Sequence, residues 1–367
     1  MLRNRCWGYR GKNLDPEEGK LSLPVDLIRT LAIVLVIMLH AATEPIPIAN
    51  QMSPQGVTLW WTVNIYNALS RPAVPLFVML SGALLLQPAK LGEPLSVFFK
   101  KRLNRIALPF LFWGVAYFAW RFFVYGEALS ANSILQGLLT GPYIYFWFLY
   151  LLVGLYLITP VLRVVVAYAE RKTFRFLLIL WFVGTAIVPL LGLFGAYRLD
   201  DNVFIVTGWV GYFLLGAYSL KTHVRSVVLY ALLVFGLAWT IIGTYLVVGT
   251  IGERFSQFFY DASSFSMIGA SLALFLLLAA VPSNMVEKRF PRGSRLLRLI
   301  SQNTLAIYLF HIMVIEALQK GFFGFQISLA TMNPVLEVPL ITVVTLFICL
   351  GVLYPLKKIP LVKKVVG

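Results

Sequence analysis

Ten separate stretches of this chain are apolar for long enough to cross a lipid bilayer, at residues 25–42, 62–86, 104–125, 146–168, 175–194, 203–220, 227–249, 262–281, 301–319 and 336–354. A helix needs roughly 20 mostly apolar residues to span the hydrocarbon core, so each stretch predicts a membrane helix or most of one. Composition points the same way. With 59% hydrophobic and 13% charged residues, the 367-residue chain has more apolar surface than a soluble domain needs, and lipid is the solvent for much of it. The expected fold class is an all-α membrane protein, a polytopic bundle of about ten transmembrane helices. Within 62–86, a short interfacial helix running into a span at Pro72–Leu86 is the alternative to one continuous span.

Basic residues give the orientation. Of 31 Lys and Arg, 24 fall in the alternate segments: before the first span, after the second, fourth, sixth and eighth, and after the last. The opposite loops hold only Arg198, Arg254 and Lys320, while Arg29, Arg71, Arg121 and Arg163 lie in or at the edges of spans. By the positive-inside rule both termini are cytoplasmic. The expected organisation is a cytoplasmic leader at 1–24, a transmembrane domain at 25–355 and a short basic cytoplasmic tail at 356–367.

The net charge of +16 is accounted for by these loops and the anionic lipid beside them, so nucleic acid is not an expected partner. Cys6 and Cys349 offer neither a disulfide nor a metal-ligand spacing, and no metal is expected. The leader lacks the apolar core of a cleavable signal. No P-loop, glycine-rich dinucleotide motif or metal triad is present. With no soluble catalytic domain in view, the membrane bundle is expected to carry the chemistry.

The first span, VDLIRTLAIVLVIMLHAA, contains Asp26, Arg29 and His40. Ionisable groups at bilayer depth are expensive and mark function by default. Arg29 and His40 are 11 residues apart, which returns them to nearly the same helix face about 16 Å apart along the axis. Asp26 lies on the same stripe, where it can pair with Arg29. His40, with Glu44 one turn beyond, reads as a general base oriented by a carboxylate, against the plainer reading of an interfacial histidine satisfied by water.

His311 in the ninth span, with Tyr308 one turn before it, is either packing with one interhelical hydrogen bond or a second polar group facing the cavity of His40. Ser81 sits at a small-residue site in the second span. Arg71 guards that span's outer end, where snorkelling to headgroups is the simpler role. Arg102 and Arg105, near the basic start of the third span, serve as topology signals or grip a phosphate.

Several segments together resemble one family. Arg29–x10–His40, VPLFVMLSG, Phe98–x3–Arg102–x2–Arg105 with Pro109, FWFLYLLVGLYLITPVL, GYFLLGAYSL and NTLAIYLFHIMVI are similar in kind and order to the acyltransferase-3 family of membrane acyltransferases. Within it the chain most resembles the enterobacterial common antigen O-acetyltransferase subgroup. The resemblance implies acyl transfer from cytoplasmic acyl-CoA, acetyl-CoA above all, to a hydroxyl of an envelope carbohydrate or lipid-linked sugar, in the bacterial inner membrane. It makes His40 the catalytic histidine with Arg29 as its motif partner, and Arg102 and Arg105 the acyl-CoA contacts. Arg71, Ser81, Tyr308 and His311 are then candidates for holding the acceptor or the transition-state oxyanion, and a covalent acyl-enzyme stays open as a variant. Glu44 departs from the family pattern. The competing class is a transporter of a small polar solute, for which the intramembrane ionisable residues would equally suit, although no inverted repeat is evident. Outward-facing aromatics such as Trp60, Trp61 and Tyr143 offer surfaces on which a sugar could stack.

Overall fold

The computed structural model describes residues 23–43, 54–190, 208–252, 256–282, 287 and 289–367. The expected role of Glu44 and nearly all of the leader fall outside these. The described residues form helices: α1 (Leu23–Ala41), α2 (Pro54–Ser70), α3 (Ala73–Leu85), α4 (Leu95–Tyr125), α5 (Ala131–Thr140), α6 (Trp147–Tyr168), α7 (Arg171–Phe182), α8 (Gly208–Ser219), α9 (Ser226–Thr250), α10 (Phe265–Ala279), α11 (Pro291–Gln302), α12 (Thr304–Gln319), α13 (Pro334–Leu356) and α14 (Pro360–Val366). A short 3-10 turn, Pro88–Lys90, links α3 to α4.

Seven helical stretches are long and apolar enough to cross a membrane, and an eighth is reached if α11 and α12, bent by 80°, are one broken span. Of the ten predicted spans, 262–281 folds as a helix of only 15 residues, which at 1.5 Å per residue rises about 22 Å, short of the roughly 30 Å hydrocarbon core; the described part of 203–220 is α8. Both helices turn apolar side chains inward. In α8, Tyr212, Phe213 and Leu214 are buried, and in α10 so are Met267, Ala270, Ala273 and Phe275. These segments are apolar because other helices cover them, a state that hydropathy does not separate from lipid exposure. By contrast α9 displays Val227, Tyr230, Val234, Phe235 and Ile242 on its outer surface, as a lipid-facing helix should.

α1 lies at the centre, packed against α2, α3 and α10 to α13, with Ile28, Ala32, Ile33 and Ile37 fully buried. α3 and α8 touch backbone to backbone. A Cβ on Gly82 would lie 1.8 Å from the Phe213 carbonyl oxygen, and one on Gly216 would lie 2.0 Å from that of Met79. Only glycine allows this approach, which fixes the face of α3 that carries Ser81. The basic tail folds back rather than trailing away. α14 packs on α4, Val366 is fully buried, and the Trp113 indole N–H donates to the Val366 carbonyl at 3.1 Å.

Candidate active site

At the basic end of the bundle a cavity of about 250 Å³ is lined by Arg29 from α1, Ser81 from α3, Lys90 from the 3-10 turn, Arg102 and Arg105 from α4, and Tyr308 from α12. Four of these six side chains are cationic. Among the described residues no carboxylate comes within 4 Å of Arg29, Lys90, Arg102 or Arg105, so none of the four is tied up in a close ion pair. Burial, together with the neighbouring Arg102 and Arg163, pushes the Lys90 ammonium below its ordinary pKa.

The predicted Asp26–Arg29 pair gives way to a different partner. Asp26 is buried, and among the described residues the cation nearest its carboxylate is Arg298 of α11, with Nε at 3.8 Å. α11 is docked there by the Thr30 hydroxyl, which donates to the Leu297 carbonyl at 3.0 Å. Arg29 meanwhile contributes to the cavity wall. Spacing along one helix reveals which residues are neighbours on it, but not which neighbouring helix supplies a closer charge.

Lys90 reaches the cavity because Arg163 holds its loop. The buried Arg163 guanidinium donates to the Leu85 carbonyl at 2.9 Å, the Lys90 carbonyl at 3.0 Å and the Glu93 carboxylate at 2.8 Å. It also lies over the Phe98 ring at 4.6 Å, while Arg102 lies 5.7 Å from the same ring's centroid. One arginine in α6 thus fixes both the connection between α3 and α4 and the aromatic support beside Arg102. Sequence reasoning counted Arg163 only as a charge near a span. The usable signal was a carboxylate, Glu93, in the preceding basic loop.

Deeper in the bundle two imidazoles meet. The His40 and His311 ring centroids are 5.3 Å apart, which brings these two sequence candidates together. His311 is completely buried. Its Nδ1 lies 2.6 Å from the Tyr308 carbonyl oxygen; a carbonyl only accepts, so Nδ1 carries the proton and Nε2 is an acceptor. Among the described residues that Nε2 has no hydrogen-bond partner. Tyr308 joins the two regions, because its side chain lines the cavity while its ring lies 5.7 Å from His311. Its hydroxyl is committed to the Tyr145 carbonyl at 2.5 Å.

The Tyr145 ring stands edge-on to His40 with centroids 4.2 Å apart. It is held by the turn between α5 and α6, which Gly141 enters at φ +114°, a conformation suited to glycine. Glu316 braces the turn by accepting from the Tyr143 hydroxyl at 2.5 Å and from the Trp120 indole at 2.6 Å. Tyr143 is also stacked on Tyr117 at 4.9 Å, so its ring serves the interior on one face.

Arg71 has partners within the protein. Its guanidinium donates to the Gln257 side-chain oxygen at 3.0 Å and lies over the Tyr260 ring at 5.1 Å. Tyr260 in turn donates to Asn64 at 2.6 Å, and burial raises its pKa to about 12 although Arg71 opposes the shift. A second cavity, about 310 Å³ and lined by Thr185, Gln257, Asp261 and Ser263 among others, adjoins this cluster.

A family model described as an acyltransferase domain matches residues 24–354. No curated protein and no solved structure matches the chain.

Proposed function

The chain belongs to the acyltransferase-3 family, and on that premise we propose that it moves an acetyl group from cytoplasmic acetyl-CoA to a hydroxyl of an envelope glycan or lipid-linked sugar. The finer reading takes the bundle to be a bacterial inner-membrane protein with both termini cytoplasmic, nearest the enterobacterial common antigen O-acetyltransferases. Family membership does not favour solute transport without chemistry. The observation that carries the reading is a cavity with four cations at one end and, behind Tyr308, a pair of histidines.

In this reading Arg102, Arg105, Arg29 and Lys90 meet the nucleotide phosphates. The pantetheine arm runs along α1 toward His40, about 16 Å of helix from Arg29. The acceptor hydroxyl attacks the thioester carbonyl carbon while His40 takes its proton. The C–S bond then breaks, the electron pair leaves on sulfur, and CoA departs as thiolate or thiol. His311 suits proton acceptance better than oxyanion binding, because its free nitrogen is an acceptor. The Tyr308 hydroxyl is already spent on Tyr145. Ser81, on the cavity wall, is then the oxyanion donor among the three candidates. Arg71 and the polar cavity beside it suit the acceptor side.

The test is radiolabelled acetyl transfer by purified protein in lipid vesicles loaded with acceptor glycan. His40→Ala should abolish transfer while acetyl-CoA still binds, since a base must reach the hydroxyl directly and the phosphates are held elsewhere. Full activity in that variant removes His40 from the mechanism.

A further inference from the structure

The cations of the donor cavity do not stop at its rim. Arg105 lines the cavity from α4, and it lies close enough to Lys357, at the end of α13, to repel it. Lys363, on α14, repels Lys357 as well. α14 packs on both α4 and α13, so three adjoining elements carry these three cations. Among the described residues no carboxylate is within 4 Å of any of them. Lys357 is half-buried, and burial with these two neighbours brings its pKa down to about 8.

Placement is rigid and continuous with the cavity. α14 is docked on α4 through the Trp113 to Val366 hydrogen bond, and the next residue, Gly367, lines the cavity itself. Lys358, by contrast, turns its ammonium over the Tyr354 ring at 4.9 Å. The cluster is therefore selective about which tail lysines it includes.

We propose that Arg105, Lys357 and Lys363 form a second anion subsite, which holds the 3′-phosphate monoester of the donor nucleotide while Arg29, Lys90 and Arg102 hold its pyrophosphate. The proposal rests on the donor being an acyl-CoA. Coenzyme A carries its two phosphate groups on different carbons of one ribose, so two separated cationic clusters match it where one would not. A monoester dianion at the rim also suits compact, mobile ammonium groups, which act as point charges rather than bidentate forks.

The experiment compares binding of CoA and 3′-dephospho-CoA to the purified protein in neutral phosphatidylcholine nanodiscs, for the wild type, for the double variant Lys357→Gln with Lys363→Gln, and for Lys358→Gln as a control. The wild type should prefer CoA by roughly tenfold, the worth of one charge-assisted contact. The double variant should lose that preference with its affinity for 3′-dephospho-CoA unchanged, which also shows that it is folded, and Lys358→Gln should keep the preference. A double variant that retains the preference, or weakens both ligands equally, overturns the subsite. So does a variant that loses binding to phosphatidylglycerol vesicles while its CoA preference stands, because the cations then serve lipid phosphates. A wild type that binds both ligands equally overturns the subsite alone, whereas one that binds neither overturns the donor reading and the subsite with it.

Discussion

Replacing Arg163 with alanine should loosen the donor site without touching any residue that faces the reaction. The substitution removes two hydrogen bonds to carbonyls and one to the Glu93 carboxylate, and it leaves Glu93 without its cation. Charge-assisted bonds contribute about 1.5–3 kcal/mol each, but their simple sum overstates the loss, because a buried ion pair gives up much of its attraction to desolvation. Breaking one partner of a buried pair costs about 3–5 kcal/mol. Glu93 is 22% exposed, so water recovers part of this, and the low end, about 3 kcal/mol, is the better figure. The bundle keeps its helices, and the loss falls on the turn that carries Lys90 and on the ring that supports Arg102. At about 1.4 kcal/mol per decade, the donor KM should rise roughly ten- to a hundredfold. The kcat should change little, since the Arg163 guanidinium bonds to Leu85, Lys90 and Glu93 and not to the proposed base, His40. Arg163→Lys should sit between the extremes, and Glu93→Gln, which keeps a neutral acceptor, should cost the least. Acetyl transfer measured against acetyl-CoA concentration reads all three. A donor KM within twofold of wild type in a folded Arg163→Ala protein would refute the reasoning.

Three further outcomes follow from other parts of the molecule. Arg102→Ala combined with Arg105→Ala should weaken acyl-CoA binding in a protein that still folds, with the double lysine variant recovering only part of it, because lysine lacks the bidentate geometry; unchanged affinity in titration calorimetry would sink the assignment. Gly82→Ala should force α3 away from the Phe213 carbonyl, lowering thermal stability by several kcal/mol in the manner of an overpacked core, whereas Gly92→Ala, which meets nothing within 4 Å, should leave the melting temperature alone. Affinity for CoA should fall as pH rises from 7 to 9, because Lys357, facing Arg105 on α4 and Lys363 on α14, loses its proton at about 8 just where a phosphate dianion needs the charge; binding of 3′-dephospho-CoA should fall less over that window, and parallel pH profiles for the two ligands would count against it.

The ten apolar segments were legible as helices because hydropathy over 20 residues reports removal from water. It does not report what replaces the water, so α8 and α10, covered largely by protein, read the same as α9, whose apolar side chains are exposed. Within α1 the stripe of Arg29 and His40 could be read from helical period alone, and a shared location for His40 and His311 was anticipated as one of two readings. What could not be read were partners contributed by distant helices. Arg298 replaces Arg29 as the cation nearest Asp26, Gln257 and Tyr260 engage Arg71, and Arg163 clamps a loop that lies 70 residues before it in the chain. Such pairings depend on packing between helices, for which one sequence carries no local signal.

The central position of α1 has a consequence for biogenesis. It is the first long apolar helix of the described chain, yet the contacts that accommodate its polar residues come late: Thr30 bonds to a residue 267 positions onward, Asp26 is met by Arg298, and His40 by His311. While the intervening helices are being synthesised, α1 enters the bilayer with an aspartate, an arginine and a histidine that lack these later partners. Insertion therefore has to hold this helix at the lipid boundary, or against the insertion machinery, until α11 to α13 arrive to enclose it. Substitutions in α11 that weaken its grip on α1 should therefore lower yield before they alter activity.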